Sequence, residues 1–304
     1  VNAQNAVVVI PLPGNDSLGQ ALAAELGATA GTLAVHRFPD GETSVRVTSP
    51  VAGSDVILAA TLDHPNDKLV TLYLAAQTLR GLQARRVLLV APYLPYMRQD
   101  RSFRPGEGVS AVHIASWMSG FVDGLVTVDP HLHRIHRLDE VFRVPTRVVQ
   151  SAVPIARWIR TNISRPVVIG PDGESRQWVS AVARAVACPY FVMDKVRHGD
   201  RDVEVRLPDR EALEDRTPVL LDDIVSSGGT MQAAIRCLGA AGFAAPYCIS
   251  VHALLSDQAL EQLKESGAQG FASCNTVVHS SNRIDLHHPL AFAARELLRE
   301  GPAA

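Results

Sequence analysis

Val219-Leu220-Leu221-Asp222-Asp223-Ile224-Val225-Ser226-Ser227-Gly228-Gly229-Thr230-Met231 carries two acids from an apolar strand into a loop of small residues, and a helix starts near Thr230 and runs through Cys237. A strand apolar on both faces suits a parallel sheet covered by helices. A glycine-rich turn before a helix gathers main-chain N–H groups into an anion nest, and the helix N-terminus adds partial positive charge. Ser226, Ser227 and Thr230 bring hydroxyl donors for phosphate oxygens, while Gly228 and Gly229 let the main chain come close and take φ > 0. Asp222 and Asp223 are acceptors, suited to ribose hydroxyls rather than to phosphate. A bland βα turn could hold Gly-Gly-Thr; the whole string favours phosphate binding.

Outward from it the same pattern recurs. Apolar, mostly β-branched runs at residues 6–10, 55–60, 86–91, 124–128, 166–170, 217–221 and 247–252 end at turn residues, and apolar spacing such as that of 69–82 suits helices between them. With 304 residues, 47% of them hydrophobic, there is material for two cores. The expected fold class is α/β: two three-layer domains, each a mainly parallel sheet flanked by helices. The boundary is expected near Pro145 to Pro154, giving 1–148 and 149–304, with the last helix free to pack back on the first domain. A formal charge of −2 points to neither nucleic acid nor membrane. Four scattered cysteines without a C-x-x-C pair argue against a disulfide framework or structural zinc, so a cytoplasmic location is expected. The first residues, Val1-Asn2-Ala3-Gln4-Asn5, show neither a basic stretch nor a long apolar run.

Five further segments are chemically suggestive. Phe38-Pro39-Asp40-Gly41-Glu42 is a strong turn former. Ala91-Pro92-Tyr93-Leu94-Pro95-Tyr96-Met97-Arg98-Gln99-Asp100-Arg101 reads as a loop with surface arginines. Asp129-Pro130-His131-Leu132-His133-Arg134-Ile135-His136 crowds histidines, which are surface or structural residues, or a transition-metal site. Gly170-Pro171-Asp172-Gly173-Glu174-Ser175 is an acidic turn. Asp194-Lys195-Val196-Arg197-His198-Gly199-Asp200-Arg201-Asp202 is either a solvated hairpin or a basic flap that closes on phosphates.

The 219–231 string resembles the phosphoribosyl-pyrophosphate motif of the phosphoribosyltransferase-type fold, shared by base phosphoribosyltransferases and ribose-phosphate pyrophosphokinases. The other five segments together resemble the pyrophosphokinases. That resemblance implies transfer of pyrophosphate from ATP to the 1-hydroxyl of ribose 5-phosphate, with Mg2+. It implies ATP contacts from Phe38, Asp40 and Glu42 of a neighbouring subunit and from Arg98, Gln99 and Arg101, hence a homo-oligomer. It also implies magnesium contacts at His131 and Asp172, and catalytic cations at Lys195 and Arg197. Asp222, Asp223, Ser226, Ser227, Gly228, Gly229 and Thr230 would take ribose 5-phosphate. The chain departs from the family pattern at Ser226-Ser227, at Glu174 and at Pro130. Rival readings are a base phosphoribosyltransferase and a non-catalytic regulatory paralogue, although the latter would be expected to lose the flap cations.

Overall fold

The computed structural model describes residues 6–197, 203–206 and 215–300, with 194–197 and 203–206 as backbone alone. The chain divides into two units, one running to Val149 and resuming at His287, the other spanning Gln150–Leu286.

The first unit opens with β1 (Val7–Pro11), α1 (Asp16–Leu26) and β2 (Thr29–Ala30). A hairpin of β3 (Leu33–Arg37) and β4 (Thr43–Val47) follows, then β5 (Asp55–Ala59), α2 (Pro65–Gly81) and β6 (Arg86–Val90). Next come α3 (Ser110–Met118), β7 (Gly124–Val128) and β8 (Thr146–Val149). The main sheet has the order β2-β1-β5-β6-β7-β8 and is parallel throughout. Residues of β5, β6 and β7 are buried on both faces, which is why they read as unbroken apolar runs. Leu58, Leu72, Leu89 and Phe121 are among the residues of the core between sheet and helices. The β3–β4 hairpin is a separate antiparallel sheet lying on α2.

The second unit repeats this plan. α4 (Ala152–Asn162) precedes β9 (Pro166–Gly170), α5 (Arg176–Val186) and β10 (Tyr190–Val192). A hairpin of β11 (Asp194–Arg197) and β12 (Val203–Arg206) comes next, then β13 (Thr217–Val225), α6 (Gly229–Ala240), β14 (Tyr247–Ala253), α7 (Asp257–Glu265), β15 (Gly270–Cys274) and β16 (Asn282–Ile284). Its parallel sheet runs β10-β9-β13-β14-β15-β16, the same winding, with the hairpin inserted after the second strand in both units.

One expectation needs adjustment. β13 does not stop at Leu221; it continues through both acids to Val225, because β14 is long enough to pair with it as far as Ala253. The last helix, α8 (His287–Arg299), belongs to the first unit, the packing that the sequence boundary of 149–304 left open for it. It packs on α1, β7 and β8, and Arg86 donates to the carbonyls of Leu297 (3.3 Å) and Leu298 (2.8 Å) at its end. α4 does the reverse: it follows β8 but packs on α5 and β16 of the second unit. Each unit is therefore completed by a helix that follows the other unit's last strand. Among the described residues no helix is long and apolar enough to cross a membrane.

Candidate active site

In the second unit the decisive string spans the end of β13 and the start of α6. Asp222 is half-buried and Asp223 is buried, with the Asp223 main-chain N–H donating to Asp222 Oδ1 at 3.0 Å. Ser226 and Ser227 are exposed, and Gly228 caps α6 in the left-handed region at φ 75°. That backbone turn is what aims the first N–H groups of the helix outward, and glycine adopts it without steric penalty. Gly229 N–H donates to Ser227 Oγ at 3.5 Å, and Gly229 and Thr230 are exposed. The loop is thus open, with hydroxyl and amide donors beside carboxylates.

The corresponding loop of the first unit is closed by its own side chains. Its helix cap, His64, also lies in the left-handed region. There, however, the Thr61 N–H donates to Asn15 Oδ1 at 2.7 Å, and Lys68 pairs with Asp63 at 2.5 Å. In the second unit's copy Ser226, Ser227, Gly229 and Thr230 are instead exposed.

Asp172 stands just past β9, which pairs with β13. Its carboxylate accepts the Glu174 N–H at 3.1 Å and its carbonyl accepts Ser175 Oγ at 2.6 Å, a local turn that fixes the side chain. Gly170 leaves room beneath it, since a Cβ would displace Ser175 Oγ and break its bond to the Asp172 carbonyl. Burial, then the Asp223 carboxylate, then that of Asp172, pushes the Asp222 carboxyl up to about 8. These surroundings favour the protonated form of Asp222 until a cation or a hydrogen-bonding ligand changes them. Lys195 and Arg197 fall on β11, opposite Val205 and Val203; their side chains lie outside the described residues, as do residues 198–202.

In the first unit Phe38, Asp40 and Glu42 are exposed at the turn of the β3–β4 hairpin. Gly41 takes φ 95° there, and Asp40 Oδ1 accepts the Glu42 N–H at 3.1 Å. Arg98 is exposed, whereas Gln99 is half-buried with Oε1 accepting from Ser110 Oγ at 2.8 Å. Arg101 lies over the exposed Phe103 ring, 4.8 Å from its centroid. At the carboxyl end of β7, Asp129 is buried at φ 30°, an unusual backbone for a non-glycine residue that turns the chain sharply into Pro130-His131. The His131 ring packs edge-on against His133, with centroids 4.4 Å apart.

The sequence reading passed over Asp100. Its carboxylate accepts the Arg134 main-chain N–H at 3.0 Å and Arg134 Nη1 at 3.2 Å, joining the 98–101 strip to the His131 loop. The available signal was an acid set between Gln99 and Arg101 in an otherwise basic strip.

Residues 7–121 match the N-terminal domain of ribose phosphate pyrophosphokinase, and residues 144–286 match the phosphoribosyl transferase domain. The ribose-phosphate pyrophosphokinase of Methanopyrus kandleri is 33% identical over 293 residues, covering 96% of this chain and 99% of that one. That of Saccharolobus solfataricus is 35% identical over 249 residues (79% and 82%). That of Halobacterium salinarum is 32% identical over 282 residues (92% and 97%). The crystal structure of phosphoribosylpyrophosphate synthetase from Mycobacterium smegmatis has the same fold, with a TM-score of 0.86 at 23% identity over 98% of this chain and 100% of that one. With both domains matched in order and relatives above 30% identity across nearly their whole length, the chain belongs to the ribose-phosphate pyrophosphokinase family.

Proposed function

We propose that the chain transfers the terminal pyrophosphate of ATP to the 1-hydroxyl of ribose 5-phosphate, giving phosphoribosyl pyrophosphate and AMP. The observation that carries this reading is an open turn rich in hydroxyl and amide donors, Ser226 to Thr230, set two residues after the Asp222–Asp223 pair in one unit. A sugar phosphate calls for both chemistries at that spacing: donors for its phosphate and acceptors for its hydroxyls. Ser226, Ser227, Gly228, Gly229 and Thr230 hold the 5-phosphate, and Asp222 and Asp223 the ribose hydroxyls. Arg98, Gln99 and Arg101 contact the nucleotide, joined by Phe38, Asp40 and Glu42 of a neighbouring subunit in a homo-oligomer.

The Asp223 and Asp172 carboxylates raise Asp222's need for positive charge nearby, and the hard oxygen donors of such carboxylates suit Mg2+. His131 and Asp172 would hold it, and when bound it would offset charge on the nucleotide phosphates. The 1-hydroxyl attacks the β-phosphorus in line, and the bond from that phosphorus to the oxygen of the departing AMP breaks. Lys195 and Arg197 neutralise charge as it develops, each contributing on the order of a few kcal/mol. Cys188, Cys237 and Cys248 carry free thiols, which suits a reducing cytoplasm.

The test is AMP release from ATP, Mg2+ and ribose 5-phosphate by the intact chain and by Lys195→Ala. Ribose-dependent AMP formation that falls at least about a hundredfold in the variant, with substrate affinity little changed, is the expected result. A folded protein that releases no AMP but consumes phosphoribosyl pyrophosphate with a base would make it a transferase; one inert in both assays would be a regulatory paralogue.

A further inference from the structure

We propose that Asp100 is a positioning residue that fixes the loop carrying His131 to the strip carrying Arg98 and Gln99, so that both meet a nucleoside triphosphate as one preformed surface. This rests on the functional reading above. Although Asp100 sits in a loop rich in charge, its side chain is only 4% exposed. Both of its carboxylate oxygens are taken by Arg134: Oδ2 by the main-chain N–H and Oδ1 by the guanidinium. A bond to a main-chain N–H fixes a backbone position three residues from His131, which a side-chain ion pair alone would not do.

Each side of this tie is anchored independently. Gln99 is held by Ser110, and the Phe103 and Arg104 N–H groups donate to Glu107 Oε2 at 2.8 and 3.0 Å. On the other side Ile135 belongs to the core, Leu132 packs against it, and the His133 ring supports His131. Asp100 thus spans two braced loops, and small misplacements of phosphate-binding groups weaken catalysis disproportionately.

The experiment uses the full-length chain with Asp100→Ala, Asp100→Asn and Arg134→Ala. Asp100→Ala is expected to raise the KM for ATP about tenfold while the KM for ribose 5-phosphate stays within about twofold. Asn still accepts the Arg134 N–H and recovers most of the loss; Arg134→Ala keeps that same bond and stays near wild type. Hydrogen exchange at the Arg134 amide accelerates in Asp100→Ala whether or not the protein turns over. Wild-type protein that releases no AMP would therefore overturn the functional reading while the exchange data still report on the tie. Unchanged exchange and an unchanged KM for ATP in Asp100→Ala overturn the proposal. So does a parallel rise in both KM values with a lowered melting temperature, the mark of a residue that only supports the fold.

Discussion

At the scale of single residues, a few backbone and charge choices carry the chemistry. Gly228 holds the left-handed turn that opens the proposed phosphate loop, and a Cβ there would lie 3.5 Å from Leu263, an ordinary contact. Gly228→Ala is therefore expected to suffer from backbone strain rather than collision, losing about 1–2 kcal/mol of stability. Calorimetric titration with ribose 5-phosphate should show weaker binding in step, because the same turn orients the helix N–H groups. Asp100 gives a pH signature of its own. Burial opposes its ionisation, but the Arg134 N–H, the Arg134 charge and the guanidinium hydrogen bond outweigh burial and hold the carboxyl below its ordinary value. A depressed folded-state value means that its contribution is complete above the ordinary carboxylate range and is lost as pH falls through the folded value. The melting-temperature gap between wild type and Asp100→Asn should accordingly be constant near neutrality and close below about pH 4.

At the scale of elements, the anchoring of α8 is the most consequential contact. Arg86 is buried, pairs bidentately with the buried Asp55 at 2.7 and 3.0 Å, and gives two further donors to carbonyls at the end of the helix. Such an arrangement ties the base of the sheet to the helix end and satisfies the carbonyls that every helix leaves open. Arg86→Ala would leave Asp55 with Arg85 alone and is expected to destabilise the first unit by about 3 kcal/mol. Hydrogen exchange confined to residues 287–299 at early times would show the helix releasing first. The strands were legible in the sequence because burial on both faces imposes unbroken apolar runs, as in Val87-Leu88-Leu89-Val90. The destination of α8 could be named only as an option, since its apolar stripe of Leu290, Ala294 and Leu297 fits any core and its partner, Arg86, lies more than 200 residues away. The extent of β13 was likewise hidden, since acids inside a strand read as its end until β14 is seen pairing alongside. The glycine turn at Gly228 and the helix after it were legible, because their backbone requirements are local.

At the scale of the whole molecule, two units share one winding while their loops have parted company. His64 and Gly228 occupy equivalent caps, yet Lys68 and Asp63 fill one loop and the other stands open; such divergence erases any repeat in the sequence. The second unit is one continuous segment with its own sheet and core, so a fragment of residues 150–286 is expected to melt cooperatively and to bind ribose 5-phosphate. A fragment ending at Val149 lacks α8 and is expected to melt at a lower temperature than the complete unit or to aggregate. Circular dichroism melts of both fragments, with and without a 287–304 peptide, check this directly, and restored melting on adding the peptide is the decisive result.

The exchange of terminal helices also has a consequence during synthesis. Multidomain chains ordinarily mature from the N-terminus onward. Here the unit that is made first waits for α8, made only after the whole second unit, to close its flank, while the second unit already has α4 in hand when its strands appear. Translation and completion thus run in opposite orders, and a chain stalled before His287 would display a finished C-terminal half beside an N-terminal half still awaiting its lid, a natural target for chaperones and quality control.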